Sequence, residues 1–255
     1  MRILKPDKFV EAHERFYVQV RRYMTTGLGR HGLSLAGFPQ GWSRRQAISL
    51  PAINDRARIA FMEAAVGFFR HYSLTVRPAR FYFVTFMPAR FAVPLKSPQD
   101  FELDQLKEWT AKQVAGLDYL GVIEAALFGN HELPGARGPT VSWHVHMLVW
   151  NVPEEKLERI VEAVNRQNKT LLPGLEAGHM RALGREGAIS RIVYMLKAPM
   201  QEYRIPADLS GHFKGPLRPG MALQVFRLFS GITTLTYWWR GETAFHYGSG
   251  LEPGP

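Results

Sequence analysis

The chain has 255 residues, 46% hydrophobic and 12% aromatic, which is enough to build a full core and argues against a disordered chain. It has no cysteine, which excludes disulfide frameworks and cysteine-ligated zinc, and no apolar run nears the roughly 20 residues that span a bilayer; a cytoplasmic protein without a membrane partner is expected. The net charge is +10, and the first 80 residues hold 14 of the 32 basic and 5 of the 22 acidic groups, a net of +9, so that region reads either as a polyanion-binding surface or as a solvated basic face.

Residues 7–24 set Phe9, Phe16, Val20 and Tyr23 at helical intervals, with Asp7 as a cap. Glycines and basic residues between Thr25 and Trp42 read as loop. Trp42, beside Arg44 and Arg45, offers a ring for an unpaired base and two cations for phosphate. A second helix is predicted from about Asn54 to Tyr72, with Ile59, Met62, Val66 and Phe69 on one side. The aromatic, β-branched segment FYFVTFMP, 81–88, reads as a buried strand. Residues 100–116 read as an amphipathic helix capped near Asp100 and stopped at Gly116.

Strands are predicted at 119–129 and 141–150, joined by a Gly/Pro-rich turn at 134–139. A helix at 153–168, with Pro153 at its start and acids in its first turn, a short strand near 179–184 and a helix over 188–198 follow. The segment 223–241 reads as one or two strands with a glycine break. The order from 79 to 200 is therefore β-α-β-β-α-β-α, an α+β fold with an antiparallel-rich central sheet and flanking helices of the split βαβ type. A basic, mostly helical extension, 1–78, precedes this core of 79–200, and C-terminal strands in 201–255 complete or flank it.

Side chains two apart on a strand share a face, so His144 and His146 project together while Trp143, Val145, Met147 and Val149 pack opposite. Two imidazoles so placed are half of a divalent-metal site, or simply two histidines on an exposed sheet. Glu124 is the leading third ligand. It interrupts an apolar strand that a hairpin sets beside the histidines, where a carboxylate needs a partner. Glu132 and His131, nearer the turn, are substitutes. On the 188–198 helix, Ile189, Ile192, Val193 and Leu196 face the core. Tyr194 and Lys197 fall on the other side one turn apart, a phenol presented outward beside an ammonium. Arg191 on the same helix adds a cation for nucleic acid.

FVTFMP, then Glu124, then HVHMLVW, then YMLK, in that order, resembles the HUH endonuclease family, in particular its single-tyrosine rolling-circle replication initiators. The resemblance covers about 79–200. It implies that His144, His146 and Glu124 hold Mg²⁺ or Mn²⁺ against a scissile phosphate of single-stranded or origin DNA. It further implies that Tyr194 attacks, leaving a 5′-phosphotyrosine and a free 3′-hydroxyl, and that Lys197 orients the phosphate. Phe83, Thr85 and Phe86 would be mainly structural. Such a nickase would start replication of a plasmid or phage with a host helicase and polymerase, since no P-loop is present. No second tyrosine follows four residues after Tyr194, Tyr203 being nine on, so a second protomer is the simplest source of a second strand transfer. Conjugative relaxases and single-strand transposases of the same superfamily are alternatives. So are a catalytically silent nucleic-acid-binding module and an unrelated cupin-like metalloenzyme, the last opposed by the helices at 100–116 and 153–168.

Overall fold

The computed structural model describes residues 5–25, 54–75, 78, 80–96, 101–130, 132–133, 138–172, 174–205, 213–230 and 238–240. Two helices come first, α1 (Pro6–Thr25) and α2 (Asp55–Thr75). Asn54 caps α2 by accepting the Ala57 N–H on its side-chain oxygen at 2.9 Å. The next elements are β1 (Phe81–Phe86), β2 (Ala92–Pro94), α3 (Leu103–Gln113), β3 (Asp118–Phe128) and β4 (Thr140–Trp150). They are followed by α4 (Glu154–Gln167), β5 (Gly178–Leu183) and α5 (Arg185–Met195). The chain continues through β6 (Gln201–Arg204), β7 (Phe213–Pro216), α6 (Pro219–Ser230) and β8 (Trp238–Arg240).

The strands form one mixed sheet in the order β5-β1-β4-β3-β6-β7, with β2 also paired to β4 and β8 to β3. Among the described strands only β3–β6 is parallel; the other ladders are antiparallel. β4 is central, and all eleven of its residues are buried. That explains why it reads as a near-continuous apolar run. Helices cover both of its faces. On the histidine face α2 docks through Phe69 against Phe81 and Trp150, and through Tyr72, whose hydroxyl accepts the Trp150 indole N–H at 3.0 Å. On the opposite face Trp109 of α3 meets Phe86, and Phe101 stacks on Trp143. α1 packs against α2 and α6, and its Phe9, Phe16 and Val20 belong to the one hydrophobic cluster that includes the sheet.

The helices and strands expected from 7 to 184 are present within a few residues of their expected ends, while the loop expected between Thr25 and Trp42 and most of the turn at 134–139 lie outside the described residues. Two expectations are corrected. Residues 219–230 of the C-terminal segment are helical, not extended, because Met221, Ala222, Val225, Leu228 and Phe229 recur at helical spacing and are buried together. The helix expected over 188–198 runs instead from Arg185 to Met195, so Lys197 lies beyond its end. Asp100 lies outside the described residues. Among the described residues, no helix is long and apolar enough to cross a membrane.

Candidate metal centre and nucleophile

The β3–β4 hairpin pairs Glu124 with His144 and Val122 with His146, and β1 pairs Thr85 with His146 from the other side. Directly paired residues share a face, so the carboxylate, both imidazoles and the threonine hydroxyl all project from one patch of sheet. Glu124 Oε2 lies 3.0 Å from His146 Nε2 and 3.9 Å from His144 Nε2. Each of the three residues brings one ligand-type atom within 4.8 Å of the other two.

The outer nitrogens of the rings are also held. His144 Nδ1–H donates to the Ser142 carbonyl at 3.3 Å, which leaves Nε2 as a lone-pair nitrogen facing the carboxylate. His146 Nδ1 lies 2.8 Å from the Thr85 hydroxyl, an oxygen able to accept its proton and leave Nε2 equally free to ligate. Phe83 stacks on the His146 ring at 5.1 Å.

Burial, then the neighbouring His146, brings the His144 imidazole down to about 3, and burial lowers His146 as well. Both rings are thus neutral, the form that binds metal. Burial pushes the Glu124 carboxyl up, but the Lys197 ammonium beside it acts the other way, and the group is held well below the usual carboxylate range. Two neutral imidazole nitrogens and an ionised, buried oxygen without a well-formed hydrogen bond make a donor set that suits a divalent cation.

Lys197 donates to Glu124 Oε1, and its ammonium sits 3.9 Å from the centre of the Tyr194 ring. Tyr194 packs edge-on to His146 at 5.5 Å and to Phe83 at 6.1 Å. Its side chain is therefore turned in toward the sheet, not outward to solvent. The Glu124 carboxylate, and then burial, push its phenol up to about 12. Arg191, one turn earlier, lies 5.0 Å from the Phe83 ring centre and 5.6 Å from that of Tyr194.

The structure thus brings together five of the expected site residues, Glu124, His144, His146, Tyr194 and Lys197, with Arg191 beside them. Glu132 is elsewhere, accepting the Gly138 N–H at 2.9 Å. His131, Trp42, Arg44 and Arg45 lie outside the described residues. Phe83 and Thr85 do more than fill space, since they stack on and hydrogen-bond to His146; their odd-numbered positions on β1 were the available signal. Tyr203 is also near. Its ring stacks on Phe128 with Lys214 4.6 Å from its centre, and burial, Glu124 and Tyr194 raise its phenol. Compared with family models, curated proteins and solved structures, the chain matches none.

Proposed function

We propose that the protein is a divalent-metal-dependent DNA nickase of the HUH type, whose Tyr194 forms a covalent 5′-phosphotyrosine link during initiation of rolling-circle replication. The observation that carries this reading is the juxtaposition of Tyr194 with the Glu124–His144–His146 group. A tyrosine without a metal site, or a metal site without a nucleophile, would fit many proteins.

Mg²⁺ or Mn²⁺ bound by the three ligands would polarise the scissile phosphate and offset the Glu124 charge that now disfavours the phenolate. Tyr194 Oη forms the new P–O bond as it gives up its proton. The departing 3′-oxygen takes up a proton, so the step is a transesterification that consumes neither water nor cofactor. Lys197 and Arg191 flank the tyrosine as cations for the phosphate. Thr85 and Phe83 keep His146 in its ligating orientation.

A cleft of about 480 Å³ lined by Tyr23, Arg204, Phe213, Lys214 and Arg218 supports a single-stranded substrate, because it combines aromatic rings with cations. Lys214, on the wall of that cleft, draws the Tyr194 phenol down against the effect of Glu124, in keeping with a strand that runs from the cleft toward that tyrosine.

The test is incubation with single-stranded origin DNA and Mn²⁺, followed by a denaturing gel. A protein–DNA adduct is expected that disappears with EDTA and in Tyr194→Phe. DNA binding without an adduct would favour a silent binding module instead.

A further inference from the structure

The two N-terminal helices reach the centre by gripping the chain on either side of Lys197. His13 of α1 is 1% exposed and stacks on Phe9 with ring centres 3.8 Å apart. Its Nδ1–H donates to the Phe9 carbonyl at 2.7 Å, one turn back. Nε2 is then an acceptor, and it receives the Ala198 N–H at 3.0 Å. Arg58 of α2, 3% exposed, donates Nη1–H to the Leu196 carbonyl at 2.9 Å.

Leu196 caps α5, so its carbonyl is one of those a helix leaves unpaired, and a cation there complements the helix dipole. At the other end of α5, Arg185 Nε donates to the Ser73 hydroxyl of α2 at 3.0 Å, so α2 holds α5 at both ends. Packing alone does not call for this arrangement. A buried imidazole and guanidinium cost free energy unless paired, and apolar side chains of similar shape would fill the same space more cheaply. What the polar pair adds is direction, because it locks the peptide groups immediately before and after the lysine.

We propose that His13 and Arg58 are positioning residues that hold the Leu196–Ala198 backbone, so that the Lys197 ammonium stays on Glu124 and over the Tyr194 ring. The role in catalysis rests on the nickase reading above; the hold on the backbone does not. On this account the N-terminal helices are part of the catalytic machinery's support as well as a source of positive charge.

The test uses full-length protein with three substitutions. His13→Leu removes the acceptor, His13→Gln keeps one near the Nε2 position, and Arg58→Met removes the donor to Leu196. Hydrogen exchange read by mass spectrometry should show the amides of 196–198 exchanging at least roughly tenfold faster in His13→Leu and near the wild-type rate in His13→Gln. In single-turnover nicking, His13→Leu should slow adduct formation by about 10–100-fold without weakening DNA binding, and His13→Gln should restore most of it. Added to Lys197→Ala, His13→Leu should cost little more, since both act through one ammonium.

Unchanged exchange in His13→Leu overturns the proposal, as does a fully additive loss in the double variant. Should His13→Leu fail to fold, the same cycle with Arg58→Met decides, and additivity again overturns it. A wild-type protein that forms no adduct sinks the nickase reading, while the exchange experiment still decides the hold on the backbone.

Discussion

At the level of single residues, both imidazoles are oriented by what meets their Nδ1 atoms, the Ser142 carbonyl for His144 and the Thr85 hydroxyl for His146. His146 Nε2 faces Glu124 at 3.0 Å while Nδ1 meets the Thr85 hydroxyl at 2.8 Å, so the hydroxyl holds the direction of the ring. Thr85→Val, similar in shape but lacking the hydroxyl, should weaken Mn²⁺ binding by roughly 10–100-fold in a calorimetric titration. An unchanged affinity would show that the hydroxyl is incidental. Strand parity made the Glu124–His144–His146 group legible in the sequence, because His144 and His146 had to share a face and a hairpin had to bring Glu124 across from them. The inward turn of Tyr194 was not legible. Helical periodicity counts tyrosine with the polar side, whereas its ring here packs on Phe83 and His146. His13 was less legible still, since its partner is a backbone N–H 185 residues away and leaves no local pattern.

At the scale of elements, the long and strongly patterned segments were readable and the short or apolar ones were not. β6 and β7 are four residues each, and they exist because they pair with each other and extend β3. No alternation over so short a run specifies that. The run over 223–229 is apolar enough to suit a strand or a buried helix, and burial of Val225, Leu228 and Phe229 on one helical stripe decides for the helix. α2 is the element that ties the N-terminal part to the centre. Phe69 is wholly buried between Phe81 and Trp150. Phe69→Ala should cost about 3–5 kcal/mol of unfolding free energy in urea titrations. If α2 were only laid against the sheet, the midpoint would barely move.

For the whole molecule, one hydrophobic cluster runs from α1 through the sheet to α5 and α6, so protonation of groups inside it should be felt as stability. Burial, then the Arg58 charge, brings His13 down from its ordinary 6.5 to about 3. Between those values the unfolded chain takes up a proton that the folded one refuses, so stability falls as pH falls, by up to about 1.4 kcal/mol per pH unit from this group. His13→Gln should therefore lose stability less steeply than wild type between about pH 6 and pH 4 in urea midpoints. Equal slopes would mean that His13 is not held neutral. The large-scale charge pattern, net +9 in the first 80 residues, was plain in the sequence. That two of those residues, His13 and Arg58, face inward to the lysine segment needed the fold.

Because the Glu124 charge acts on both the Tyr194 and the Tyr203 phenol, mapping the covalent link decides which of them attacks. Trypsin separates the two tyrosines, cutting after Arg191, Lys197 and Arg204 to give the peptides 192–197 and 198–204. Mass spectrometry of nuclease-trimmed adduct formed with Mn²⁺ should find the nucleotide mass on peptide 192–197, at Tyr194. Nucleotide on the Tyr203 peptide, or on neither, would show that Tyr194 is not the nucleophile.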